Sequence, residues 1–143
     1  MNLTEAAKLC AIVSQLCPNQ KFEEYTPDAW QLVLDDVPIA DAVTAVRTVY
    51  RDQGSDQWHG TRVIEADDIW REVRRVRDRR IDSGRSRLVP PPEAREPGSA
   101  AYRAWLRDAL RRLGNGETPE EINGPQPELK PRNLQALGMK VPA

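Results

Sequence analysis

The sequence predicts an all-α protein, with a compact four-helix N-terminal domain, a proline-rich linker, one further amphipathic helix and a largely disordered C-terminal tail. Two observations support this. Apolar residues recur at spacings of three and four along five segments, which is the period of a helix face. Pro is concentrated after residue 89, where the helical pattern is interrupted.

Chain length limits the organisation further. The 143 residues leave room for one ordinary domain, which excludes a TIM barrel or a two-domain dehydrogenase. We therefore divide the chain into a helical domain (1–82), an Arg- and Pro-rich linker (83–98), an amphipathic helix (99–114) and a flexible tail (115–143).

The first two helices have clear boundaries. The first is expected to follow a cap at Thr4 and to end at Pro18. Its apolar face comprises Leu9, Cys10, Val13, Leu16 and Cys17. The second opens at Thr26, with Pro27 at the first helical position. Its apolar face comprises Trp30, Val33, Leu34 and Val37.

The third and fourth helices complete the predicted domain. The third starts at Pro38 and buries Ile39, Ala42, Val43, Val46 and Tyr50. The segment 57–64 is expected to be an ordered loop that packs across the helices. The fourth helix begins near Glu65 with an acidic first turn, and its apolar residues are Ile69, Trp70, Val73, Val76 and Ile81. We expect its C-terminal part to extend beyond the packed domain as a basic, solvent-exposed helix.

The C-terminal part has a different composition. The linker should have polyproline stiffness and form neither helix nor sheet. Ser99 then caps a helix that ends at Gly114. A lone helix of about 15 residues is marginal in water, so this one either folds back on the domain or pairs with itself or a partner. The tail is expected to be disordered, with anchors at Leu129, Leu134, Leu137, Met139 and Val141.

The net charge of −1 hides a strong asymmetry. Residues 1–70 carry a net charge of −7, 71–87 carry +5 and 88–143 carry +1. Within the basic segment acids seldom stand three or four residues from an arginine, Asp78 being the main one. The arginines are thus candidates for contact with a DNA phosphate backbone or an acidic protein, or for a solvated face. They are Arg71, Arg74, Arg75, Arg77, Arg79, Arg80, Arg85 and Arg87.

The residue pattern argues against an enzyme. There is no phosphate-binding loop, zinc-protease motif or nucleophile elbow, and His59 is the only histidine. Cys10 and Cys17 would lie about 10 Å apart along one helix, too far for a disulfide. We expect no cofactor, no metal and no membrane span, and a location in the cytoplasm.

The order of signals through residue 81 resembles the small helical domain of bacteriophage replicative-helicase loaders and inhibitors, including relatives in actinobacterial phages. The resemblance covers about 75 residues. Its motifs are Leu9 to Leu16 followed by a Pro, Trp30 with Leu34, Asp36-Val37-Pro38, Ala42-Val43-x-x-Val46 closing on Tyr50, and Ile64-Glu65-Ala66-Asp67-Asp68-Ile69.

The resemblance implies a partner and no reaction. In that family a flexible C-terminal segment engages the replicative helicase, and the folded domain is thought to meet an initiator protein. We therefore expect a non-enzymatic replication accessory protein that loads or restrains the helicase. The partner-binding candidates, which belong to the helix at 99–114 and to the tail, are Tyr102, Trp105, Leu106, Leu110, Leu113, Leu134, Leu137 and Met139.

Two features depart from the family pattern and keep alternatives open. The arginine run is heavy, and the C-terminal part contains an aromatic helix. The alternatives are a small DNA-binding regulator that uses the arginine-rich helix and a phage inhibitor of another host protein. The oligomeric state is not determined at this level.

Overall fold

The computed structural model describes residues 1–54 and 61–125. Within these ranges it contains α-helices and no strand, which confirms the all-α prediction. The helices are α1 (Leu3–Leu16), α2 (Thr26–Val33), α3 (Ile39–Asp52), α4 (Ala66–Gly84), α5 (Ala100–Gly114) and α6 (Pro119–Asn123). No helix of the described ranges is both long and apolar enough to cross a membrane.

Side chains fix where three of these helices begin. Asn2, and not Thr4, caps α1: its side chain accepts a hydrogen bond from the Glu5 amide, and the Glu5 carboxylate accepts one from the Asn2 amide. Helix α4 begins with the same reciprocal arrangement between Glu65 and Asp68. Ser99 caps α5 as predicted, accepting from the Tyr102 amide at 3.0 Å.

The core lies between α1, α2, α3 and the first half of α4, where α1 and α4 each pack against both α2 and α3. Its largest fully buried side chains are Leu9, Val13, Cys17, Leu34, Val37, Val46, Ile64 and Ile69. Trp30 is 7% exposed and meets the Phe22 ring edge-on at 5.6 Å. Val33, predicted to be in the core, is instead 44% exposed, because α2 turns a narrow stripe inward.

The second half of α4 differs from the prediction of a solvated extension, because α5 folds back and covers it. Gly84 and Leu113 are both buried where the two helices meet. The aromatic helix was expected either to fold back on the domain or to pair with itself or a partner. In the structure it folds back on its own chain. The buried residues of α5 are Ala109, Leu113 and Gly114, and the last two lie against α4.

The segment predicted as an extended linker is partly helical. Residues 83 and 84 form the last turn of α4, and short 3₁₀ turns follow at Arg85–Arg87 and Pro92–Ala94. Ala94 is buried, and its turn packs against α5. The segment is short and proline-rich, but it lies along the folded body because the 3₁₀ turns bring apolar atoms into contact with α5.

The region predicted as a flexible tail contains a short helix. Thr118 and Glu121 form a capping box at the start of α6. Asn123 then fixes its end, because its amide donates to the Arg87 carbonyl and its oxygen accepts from the Val89 amide, both at 2.9 Å. Residues 126–143, with all of the predicted tail anchors, lie outside the described residues.

The loop predicted at 57–64 is described only from residue 61. Its end is held in place by Gln20, whose side chain accepts from the Ile64 amide at 2.9 Å and donates to the Ile64 carbonyl at 2.8 Å. Ile64 itself is fully buried. This part of the loop packs into the core as predicted.

Candidate functional site

The arginines at the start of α4 pair within their own helix. Arg71 contacts Asp67 at 2.6 Å and Asp68 at 3.3 Å. Arg75 makes a bidentate contact with Glu72 at 2.8 and 2.9 Å. The expectation that acids seldom stand at pairing distance within this helix is therefore wrong, since the acidic first turn and Glu72 supply them.

Two further arginines reach acids of the N-terminal body. Arg77 donates to the Asp36 carboxylate and to the Asp36 carbonyl, each at 2.6 Å. Arg80 donates to both oxygens of Asp41, at 2.9 and 3.0 Å, and to the Gly114 carbonyl at 3.0 Å. The Asp41 carboxylate raises the pKa of Arg80. Arg80 thus joins α3, α4 and the end of α5.

The other predicted arginines are less constrained. Arg87 contacts Glu120 at 3.2 Å, and the Arg74 guanidinium lies 5.2 Å from the centre of the Trp70 ring. Arg79 and Arg85 are exposed and form no ion pair within residues 1–54 and 61–125. The run of eight arginines therefore does not form one open basic stripe.

The aromatic residues of α5 lie together. The rings of Tyr102 and Trp105 are 5.7 Å apart, and both side chains are half-buried. Leu106 and Leu110 are also half-buried, whereas Leu113 is 2% exposed in the contact with α4. The structure brings these predicted partner-binding residues onto one helix. The others, Leu134, Leu137 and Met139, lie outside the described residues.

An apolar face of α2 was missed by the sequence analysis. Tyr25 is 74% exposed, Leu32 is 82% exposed, and Ala29 and Val33 are also exposed. Positions 25, 29, 32 and 33 share one helix face, which we call the α2 ridge. Exposed acids stand beside it at Glu24, Asp28 and Asp35. The sequence shows the helical spacing of these four residues. They were overlooked because α2 has a second apolar face, which contains Trp30 and was considered the only one.

An apolar groove between α1 and α3 was also missed. Its volume is about 350 Å³, and we call it the α1/α3 groove. Its lining residues are Ile12, Leu16, Val43, Val46, Arg47, Tyr50 and Arg51. The Arg62 guanidinium lies 4.3 Å from the centre of the Tyr50 ring. The charged side chains around this groove are therefore basic, although residues 1–70 carry a net charge of −7.

A cavity of about 550 Å³ lies between the end of α3 and the start of α4. Four acids and two arginines line it, and Arg71 and Arg75 pair there with Asp68 and Glu72 of their own helix. Gln53 is buried beside it and donates to the Val63 carbonyl at 2.6 Å. The lining therefore carries an excess of negative charge, because four acids face two arginines.

The two thiols are buried among apolar side chains. Burial raises the pKa of Cys10 to about 11 and raises that of Cys17 above its ordinary value. Both thiols are consequently protonated at neutral pH, which makes them poor nucleophiles. Among residues 1–54 and 61–125, no group of three His, Cys, Asp or Glu side chains could hold a metal ion. His59 lies outside these ranges.

In comparisons with known proteins, no family model, no curated protein and no solved structure matched the chain. The features that could bind a partner are the largely ion-paired arginine helix, the aromatic pair on α5, the α2 ridge and the α1/α3 groove.

Proposed function

We propose that this chain is a non-enzymatic phage replication accessory protein that binds the replicative helicase in the host cytoplasm and loads or restrains it. The observation that carries the proposal is the aromatic pair Tyr102–Trp105, presented half-exposed on a helix that the domain holds in place. The resemblance of the chain through residue 81 to phage helicase loaders and inhibitors supplies the partner.

The way α5 docks suits it to partner binding. It contacts α4 through Leu113 and Gly114, which lie at its C-terminal end. Tyr102 and Trp105 lie near the other end, where their adjacent rings form one aromatic surface. Buried aromatic anchors dominate many protein interfaces. A helix already ordered by its own chain loses less conformational entropy on binding than a free one.

The titratable groups support binding rather than chemistry. The thiols are held protonated by burial, and five of the eight arginines in the basic segment contact carboxylates. Among these arginines, Arg77 and Arg80 hold α4 against Asp36 and Asp41. A stoichiometric mode of action is consistent with that use.

The test is calorimetric titration of the full chain against the replicative helicase of the host. Trp105→Ala should weaken binding about 30-fold, which corresponds to about 2 kcal/mol for a buried aromatic anchor. Arg103→Ala is the matched control, since it changes an exposed side chain of the same helix, and it should bind like the wild type. Unchanged binding by Trp105→Ala, or no binding by the wild type, contradicts the proposal.

One observation favours the second candidate, a DNA-binding regulator. Arg74, Arg79 and Arg85 are exposed and form no ion pair among the described residues. Three such cations support a weak contact with a phosphate backbone. The aromatic surface of α5 would equally serve the third candidate, an inhibitor of another host protein, and in that case the helicase titration shows no binding.

A further inference from the structure

The α2 ridge is convex, apolar and directed away from its own core. Leu32 is 82% exposed and Tyr25 is 74% exposed. Trp30 and Leu34, on the opposite face, are buried. Isolated exposed apolar residues are common, but four on one face of one helix form a patch, and such patches mark interaction surfaces.

The α1/α3 groove has the complementary shape. It is concave, has a volume of about 350 Å³ and is lined by the apolar side chains of Ile12, Leu16, Val43 and Tyr50, with the buried Val46 at its base. Ile12 is 38% exposed and stands at its edge. Laying the apolar face of a helix into such a groove is a recurrent mode of protein recognition.

The charges beside the two surfaces are opposite. Arg47 and Arg51 line the groove, and Arg62 lies on the Tyr50 ring. The ridge is flanked by Glu24, Asp28 and Asp35. A helix seated in the groove by its ridge would bring acids to basic side chains, and such complementarity fixes register and suppresses wrong partners.

The groove cannot take the ridge of its own copy. The buried face of α2 is packed into the core of the same chain, so the ridge faces solvent while that chain is folded. The C-terminal segment 126–143 is a poor occupant of the groove, because Lys130, Arg132 and Lys140 outnumber Glu128 and have the same sign as the groove.

We propose that copies of this chain associate head to tail, with the α2 ridge of one copy seated in the α1/α3 groove of the next. The two surfaces are different, so the contact is heterologous and leads to a closed ring or an open chain. This inference does not depend on the identity of the helicase or on any partner of α5.

The experiment is analytical ultracentrifugation of the full chain up to about 500 μM, a range that detects even weak association. The wild type should form species larger than a monomer. Leu32→Asp, which breaks the ridge, and Arg47→Glu with Arg51→Glu, which reverses the groove charge, should each weaken association at least tenfold. All of the altered side chains are exposed, and thermal unfolding by circular dichroism checks that each variant folds.

Val89→Asp is the control, since it charges an exposed apolar residue away from both surfaces, and it should associate like the wild type.

The decisive measurement is made on a mixture of the ridge variant and the groove variant. Leu32→Asp keeps its groove and the double variant keeps its ridge, so the mixture should form a 1:1 dimer at concentrations where each variant alone stays monomeric. A wild type that stays monomeric overturns the proposal, and so does a mixture that does not associate. If trypsin cuts after Arg132 more slowly in the wild-type monomer than in Leu32→Asp, the tail covers the ridge and the proposal is wrong.

Discussion

At the scale of single residues, the carboxylates near α4 decide which arginines are available to a ligand. Exposed ion pairs are worth about 0–1 kcal/mol, so the pairs of Arg71 and Arg75 can open at little cost. Arg80 is different, because it is part-buried and donates to both oxygens of Asp41 and to the Gly114 carbonyl. Releasing it would leave a largely buried carboxylate and a helix-end carbonyl without a partner. Arg80 is therefore a structural residue.

Cys10 gives the pH prediction at this scale. Its pKa rises from the ordinary value of 9.0 to about 11 in the folded chain. Below about pH 9 the Cys10 thiol is protonated in both the folded and the unfolded chain, so its contribution to the free energy of unfolding is fully present. Between pH 9 and 11 the unfolded chain loses its proton first, so the free energy of unfolding should fall. Urea unfolding at pH 8 to 10.5 measures this.

Cys10→Ala is the matched control for that measurement. It removes the titrating thiol, so the fall in stability above pH 9 should be smaller than in the wild type. Because Tyr and Lys side chains also titrate in this range, only the difference between the two proteins is informative. Equal pH dependence in both would show that the Cys10 thiol is not protected by burial.

At the scale of helices, the crossing of α4 and α5 depends on Gly84. A methyl group at this position would lie 2.7 Å from Leu113 Cδ2, and Leu113 is 2% exposed and has little room to move. Overpacking a buried contact costs about 1–3 kcal/mol, and the gain in helix propensity returns up to about 1 kcal/mol. Gly84→Ala should therefore destabilise the protein by about 1–2 kcal/mol.

Gly114→Ala provides the comparison on the partner helix. Its added methyl group would lie no closer than 3.6 Å to Arg77 and Ile81, an ordinary contact. Its stability in urea should stay within about 0.5 kcal/mol of the wild type. Hydrogen exchange in α5 should accelerate in Gly84→Ala only. Equal stability of both variants would mean that α5 does not dock at this crossing.

The helices also show which signals the sequence carries. The limits of α5 follow from Ser99 and an amphipathic period, which are local features. The start of α6 was equally readable, since Thr118 and Glu121 have the spacing of a capping box. The docking of α6 was not readable, because Asn123 contacts Arg87 and Val89, which are 34 to 36 residues away along the chain.

At the scale of the whole molecule, the charge asymmetry proves to be largely internal to the fold. The net charge of +5 on residues 71–87 suggested an open basic surface. Asp36 and Asp41 of the acidic body neutralise Arg77 and Arg80 across 41 and 39 residues of chain. Charge counts along a sequence cannot reveal this, because folding and not spacing brings the partners together. The α1/α3 groove could not be predicted for the same reason, because residues of two separate helices form it together.

This charge distribution leads to a prediction for DNA binding. If only Arg74, Arg79 and Arg85 contact phosphates, the logarithm of duplex affinity should fall with the logarithm of salt with a slope no steeper than about −2.7. Fluorescence anisotropy between about 50 and 200 mM salt measures this slope. Arg79→Ala and Arg85→Ala should each reduce it by about one, whereas Arg75→Ala, which removes a residue paired with Glu72, should leave it unchanged. A slope near −7 would show that the ion pairs of α4 open on DNA, and absence of binding at about 50 mM salt would show that the arginine run is no phosphate site.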